Sequence, residues 1–246
     1  MAVFPHFHVI VLADDYGERL WPIAREQAPA CVAPLAPDSP ESLLSAAVSS
    51  ISEFTAYPIR IVTTGALREL VADEIAARTG LEEGACDVMA LPVQRGSAFS
   101  VALACACARR EDPDAVVAVF RADERIDADE RLGSLLYRAY QVALRDRIVL
   151  VGAEQAEKPA DVAYIRFGRQ YANVEGAFEV RYFAADAKLS AAQRSIDEGG
   201  CWYTGIFVAR AAQVLGVFAY SSDSDDAPGE FGTGRIGDTA GFLALL

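Results

Sequence analysis

The chain predicts an α/β fold, a doubly wound and mostly parallel sheet with helices on its faces. Short apolar runs rich in β-formers alternate with helical patterns through most of the 246 residues. The first five runs are nearly continuous in Val, Ile and Ala, as expected of strands buried on both faces. The first run breaks abruptly into Asp14, Asp15, Tyr16 and Gly17. A tight loop at the carboxyl end of a strand is where open α/β sheets hold their ligands.

Taken in order, strands are expected at 7–13, 58–64, 86–91, 115–120, 147–151, 162–167, 178–183 and 202–209. Helices are expected at 42–54, 66–78, 98–110, 129–144, 189–198 and 211–219. Ser39-Pro40-Glu41-Ser42 places a cap, a first-turn proline and an acid before the first helix. Asp127-Ala128-Asp129-Glu130 puts acids at the positive end of another. Strand and helix in alternation imply right-handed crossovers. From Val162 the strands come closer together and alternate in polarity, which suits an antiparallel excursion. Ser221 to Asp226 is a polar break. The expectation is one domain over 1–220 and a short segment, 221–246, whose structure the pattern does not define; no internal repeat is visible.

Composition narrows the function. A net charge of −13 and a pI near 4.6 argue against nucleic acid and anionic membranes as partners. No apolar run approaches the roughly 20 residues of a membrane span, and the N-terminus has no basic n-region, so the cytosol is the expected compartment. Lys158 and Lys188 are the only lysines, so cationic chemistry must fall to arginine. Five cysteines (Cys31, Cys86, Cys105, Cys107, Cys201) show no framework spacing and read as buried free thiols. His6 and His8 lack triad partners at suitable spacing and are expected to flank the first strand. Gly232-Thr-Gly-Arg-Ile-Gly237 satisfies G-x-G-x-x-G, but with no strand before it the reading is a polar turn.

Ala13 to Pro22 resembles A-G-G-x-G-x-R-L-W-P, the signature of sugar-nucleotide pyrophosphorylases, and its Trp21-Pro22 ending is similar to the mannose-1-phosphate guanylyltransferase branch. The likeness continues in order. Arg25 to Pro29 resembles R-E-x-x-P, Ser42-Leu43-Leu44 resembles S-L-L, and Arg95-Gly96-Ser97-Ala98 resembles R-N-T-A. Ala122-Asp123 is similar to the A-D of P-A-D-H, and Trp202 to Val208 to W-N-S-G-x-F-V. The resemblance implies a Rossmann-like nucleotide-diphospho-sugar transferase fold, here without the left-handed β-helix that many members carry C-terminally. It implies a reaction in which a sugar-1-phosphate oxygen attacks the α-phosphorus of a nucleoside triphosphate, with Mg²⁺, Arg, Lys and backbone donors neutralising charge.

By that resemblance, Arg19 and Asp123 are the candidate catalytic residues, Asp123 also being the Mg²⁺ ligand. Asp14, Asp15, Gly17 and Arg95 are candidates for the nucleotide side; Tyr164, Tyr203, Thr204 and Gly205 are candidates for the sugar side. Many contact positions depart from the pattern, however. Asp14 and Asp15 replace two loop glycines, and a carboxylate about 4 Å from a phosphate charge costs roughly 1 to 4 kcal/mol per pair. Ala30 stands for the lysine of P-K-Q, Leu91 for the acid of E-P, and Gly96 for the asparagine of R-N-T-A. Ala185 and Asp186 replace the Glu and Lys of F-x-E-K-P; Asp161 and Ala163 replace glycines; Tyr203 replaces an asparagine. Positions that fold the chain, such as Leu20, Trp21, Pro22, Trp202, Gly205 and Phe207, fit. Random decay would have damaged both classes, so a folded, non-catalytic or regulatory homologue is expected, paired with itself or with an active paralogue. The alternative is an active Mg²⁺-dependent nucleotidyltransferase of altered specificity, with Asp14, Asp15 and Asp123 around the metal and a nucleotide or sugar nucleotide as ligand.

Overall fold

The computed structural model describes residues 3–14, 16–17, 21–22, 24–25, 28–34, 41–92, 95–126, 130–153, 163–171, 174–184, 200–223 and 242–245. Asp15, Arg19, Leu20, the sugar-side replacements at Asp161, Ala185 and Asp186, both lysines, the helix expected at 189–198 and the Gly232–Gly237 stretch lie outside them. The chain forms two compact units, Met1–Ser134 and Leu135–Leu246.

The first unit holds four parallel strands in the order β3-β2-β1-β4: β1 Phe7–Ala13, β2 Ile59–Thr64, β3 Cys86–Leu91 and β4 Val116–Arg121. β1 lies between β2 and β4 and is buried along almost its whole length. Its apolar run therefore has no solvent face, which is why the sequence shows no alternation there. Three helices follow from the sequence in turn: α1 Leu43–Ile51, α2 Arg68–Arg78 and α3 Ser97–Glu111. α1 buries Leu44, Ala47, Val48 and Ile51, an i, i+3, i+4, i+7 stripe. Its cap is Ser42 rather than the expected Ser39-Pro40 pair: Ser42 Oγ accepts from the Ser45 amide at 3.1 Å, while Ser45 Oγ accepts from the Ser42 amide at 2.9 Å. This is a reciprocal box that satisfies two otherwise orphaned donors. α3 presents Ser100, Val101, Ala104, Cys105 and Ala108 inward. Small residues on that face let the helix lie close to the sheet.

α4, Glu130–Ala143, crosses from one unit into the other. The second unit contains β5 Ile148–Ala153, β6 Tyr164–Gln170, β7 Ala177–Ala184, β8 Gly200–Arg210, α5 Ala211–Asp223 and β9 Phe242–Leu245. The expected antiparallel excursion is present: β6 pairs antiparallel with β7 and β8, and β5 with β8. β9, which local pattern does not reveal, pairs parallel with β5 and antiparallel with β7. The core of this unit gathers Leu150, Ile165, Val180 and Cys201, with Phe167, Phe183 and Phe207 against them.

At the amino-terminal edge of the parallel strands sits a polar anchor. Asp112 Oδ2 accepts from His6 Nδ1 at 2.8 Å and from the Tyr57 hydroxyl at 3.1 Å, with His8 Nε2 at 3.4 Å. Its Oδ1 accepts from the Asp114 amide at 3.0 Å. His6 precedes the first strand, while His8 lies within it rather than beside it, and both share an acid more than a hundred residues away in sequence. Burial pushes the Asp112 carboxyl up, but the hydrogen bonds from His6, Asp114, His8 and Tyr57 together bring it down to about 2. Burial holds the His8 imidazole below its ordinary value, outweighing the pull of Asp112.

Both shifts destabilise the fold in acid. A group with a lowered folded pKa binds more protons when unfolded, so stability rises with pH through its titration window. The stability due to His8 should fall as pH drops below 6.5, and that due to Asp112 between 3.8 and about 2. Asp112→Asn should lose about 2 kcal/mol at neutral pH and the lower part of this acid dependence, read from urea midpoints across the range. An unchanged acid limb in the variant would remove Asp112 as its cause.

Candidate functional site

The parallel register sets the site. Leu12 of β1 lies beside Arg121 of β4. Both chains therefore leave the carboxyl edge at the same level, and Asp14 and Asp123 line one recess with Leu12, Ala13, Cys31, Ser97, Arg121 and Ala122. The recess, as the described residues line it, has about 10 Å³ of free space. A larger groove of about 290 Å³ lies at the opposite edge, beside Glu53, Tyr57, Pro58 and Gly84. It sits away from the carboxyl ends of the strands and gathers no converging charges.

Asp14 is 4% exposed and accepts a hydrogen bond from Ser100 Oγ at 2.5 Å. Ser100 is in the first turn of α3, which has no acid of its own in that turn and no side-chain cap at Gly96. The Asp14 carboxylate thus faces the positive end of the helix from outside it. Gly17 closes the same loop with φ +74°, and a Cβ placed there would come within 2.2 Å of the Ala30 Cβ. Ala30 is fully buried and its amide donates to the Tyr16 carbonyl at 3.2 Å. A lysine at position 30 would have to start from this closed contact. Cys31 beside it is buried, and burial pushes its thiol up to about 12, so it is no nucleophile at neutral pH.

Asp123 is held by Arg121. Nε donates to Oδ1 at 2.9 Å and an Nη to Oδ2 at 2.5 Å, a two-pronged pair that engages both carboxylate oxygens. Glu124 stands 3.6 Å from the same guanidinium; burial pushes its carboxyl up to about 7, with Arg121 pulling it down and Asp123 pushing it up. Arg121 stands closer to Asp123 than to Glu124. Arg121 occupies the place of the proline in P-A-D-H, a sequence signal that points straight at this contact.

Neither described acid of the recess presents a free carboxylate to Mg²⁺. Magnesium needs near-octahedral oxygen ligands, and both oxygens of the one expected ligand, Asp123, are engaged by a cation. The other acid of the recess, Asp14, is turned to Ser100. Among the described residues no group of three His, Cys, Asp or Glu is placed to hold a metal. Asp123, the expected metal ligand, is thus found as the ion-pair partner of Arg121.

Arg95 is exposed, with its guanidinium 5.5 Å from the Phe99 ring centroid, and is absent from the recess lining. In the second unit, Tyr164 is fully buried, its phenol pushed up by burial, so its ring is core and not a ligand-facing surface. Tyr203 meets Phe183 edge to face at 5.5 Å. Thr204 Oγ1 donates to the Val151 carbonyl at 2.8 Å, and Gly205 has φ +81°. The register between β5 and β8 shifts at this point, and Thr204 and Gly205 build the bulge.

A model of the nucleotidyl transferase family matches residues 8–215. The chain belongs to the nucleotidyl transferase family. It is 28% identical over 212 residues to a mannose-1-phosphate guanylyltransferase of Salmonella montevideo, covering 84% of this chain and 43% of that protein. It is 24% identical over 242 residues to mannose-1-phosphate guanylyltransferase RfbM of Salmonella typhimurium, covering 97% and 49%. The nucleotidyl transferase chain thus spans less than half the length of these relatives. In fold it is similar to the crystal structure described as a mannose-1-phosphate geranyltransferase from Thermus thermophilus, with a TM-score of 0.77, 20% identity, and coverage of 98% of this chain and 74% of that one. Among the described residues no helix is long and apolar enough to cross a membrane.

Gly17→Ala should lower stability by about 2 kcal/mol, from the left-handed backbone and the contact with Ala30. Melting should show a loss of roughly 4 to 8 °C. Adding Ala30→Gly should restore part of that loss, because it removes the contact but not the backbone strain. No recovery would mean that the Ala30 contact carries none of the effect.

Proposed function

We propose that this nucleotidyl transferase homologue does not catalyse transfer and serves as a binding or regulatory protein of sugar-nucleotide metabolism. The observation that carries the reading is the Arg121 fork on Asp123, which engages both oxygens of the candidate metal ligand. The buried Asp14, turned to Ser100, supports it. So does the intactness of the frame: β1, β2 and β4 are buried along almost all their length, while the positions expected to meet phosphate, base and sugar carry other chemistry. A frame this complete suits a role that needs a folded protein.

The test is a pyrophosphate-release assay with GTP, mannose-1-phosphate and Mg²⁺. The protein should give no more pyrophosphate than Asp123→Ala prepared in the same way. Release that requires both Mg²⁺ and Asp123 would establish the active alternative instead.

A further inference from the structure

We infer that the carboxyl edge of the parallel strands is self-liganded. Asp14 supplies the anion and Arg121 the cation that a magnesium-bound phosphate group would otherwise bring, so the chain excludes such ligands by already holding their charges. This rests on the non-catalytic reading and explains how the site is closed rather than merely altered.

The two contacts are complementary. α3 runs for 15 residues to Glu111, carries Arg109 and Arg110 in its last turn, and has no acid in its first turn. A positive helix end of this kind favours an anion. The anion is present and comes from another element: the Asp14 carboxylate, nine-tenths buried, 2.5 Å from Ser100 Oγ. On the other wall Asp123 is an acid that favours a cation, and the cation is Arg121, two residues away in its own chain. Asp14 and Arg121 line the same recess. An incoming phosphate would meet the Asp14 charge at the helix end, and an incoming divalent cation would meet the Arg121 charge at Asp123. Each internal group repels the ligand it replaces. Removing one leaves the other in place, so a single change restores the site only in part and full restoration requires both.

The experiment is thermal melting of the full chain with and without a large excess of magnesium pyrophosphate. It compares the wild type, Asp14→Gly, Arg121→Ala and the double variant. The wild-type Tm should not move. Each single variant should gain a small rise, and the double variant a rise of about 5 °C. The rise in the double variant should fall sharply when EDTA removes the metal. If Asp14→Gly does not fold, Asp14→Asn takes its place, since it keeps the acceptor for Ser100 and removes the charge. A wild-type rise equal to that of the double variant overturns the inference, and so does no rise in any variant. These outcomes are separate from turnover: pyrophosphate release by the wild type would sink the non-catalytic reading, whereas variants that fail to gain a shift sink only this one.

Discussion

The arrangement depends on one constraint, the burial of β1 between two parallel neighbours. Hydrogen-bonded on both sides and covered on both faces, it cannot slide by a residue without breaking two ladders. The register that pairs Leu12 with Arg121 is therefore strict, and so is the meeting of Asp14 and Asp123 beyond the ends of β1 and β4. The loop after β1 is closed by a second strict contact, Gly17 over Ala30, where no room exists for another carbon. The position of the acids is thus a property of the sheet and not of the loops that carry them.

With position fixed, electrostatics decides what the site can do. A carboxylate at the end of a strand is a metal ligand or half of an ion pair according to what stands beside it. Arg121 beside Asp123 makes the second, and Ser100 with the positive end of α3 gives Asp14 a place where its charge is favourable. Both acids are parts of the folded protein's own charge balance. The relatives named as mannose-1-phosphate guanylyltransferases share the frame at 24 to 28% identity, a level at which the frame is shared more securely than its use.

The sequence made the parallel strands legible because a strand with no solvent face tends to be apolar throughout, as β1 and β4 nearly are; β2 buries Arg60, Thr63 and Thr64 as well. It made the altered site legible because Asp14, Ala30 and Asp123 stand at positions of a known pattern. What it left unread is non-local. His6 and Asp112 are joined across 106 residues and Ser100 and Asp14 across 86, with no spacing rule to connect them. β9 is four residues long and gains its strand character only from β5 and β7 on either side. Tyr164 reads as a sugar contact by resemblance, and only burial shows that it belongs to the core. Arg121 was readable, as the residue in place of proline, but its grip on both oxygens is a matter of geometry.

The Asp112 anchor and the Asp14 recess stand at opposite ends of β1, separated by the length of the strand, roughly 20 Å. At that distance, with no shared partner, changes at the two ends act almost independently. Substitutions at the carboxyl edge therefore leave the cluster that secures the strand at its start in place. A domain whose strength and whose chemistry are lodged at different ends can lose one and keep the other, and its descendants can be re-employed without first being rebuilt.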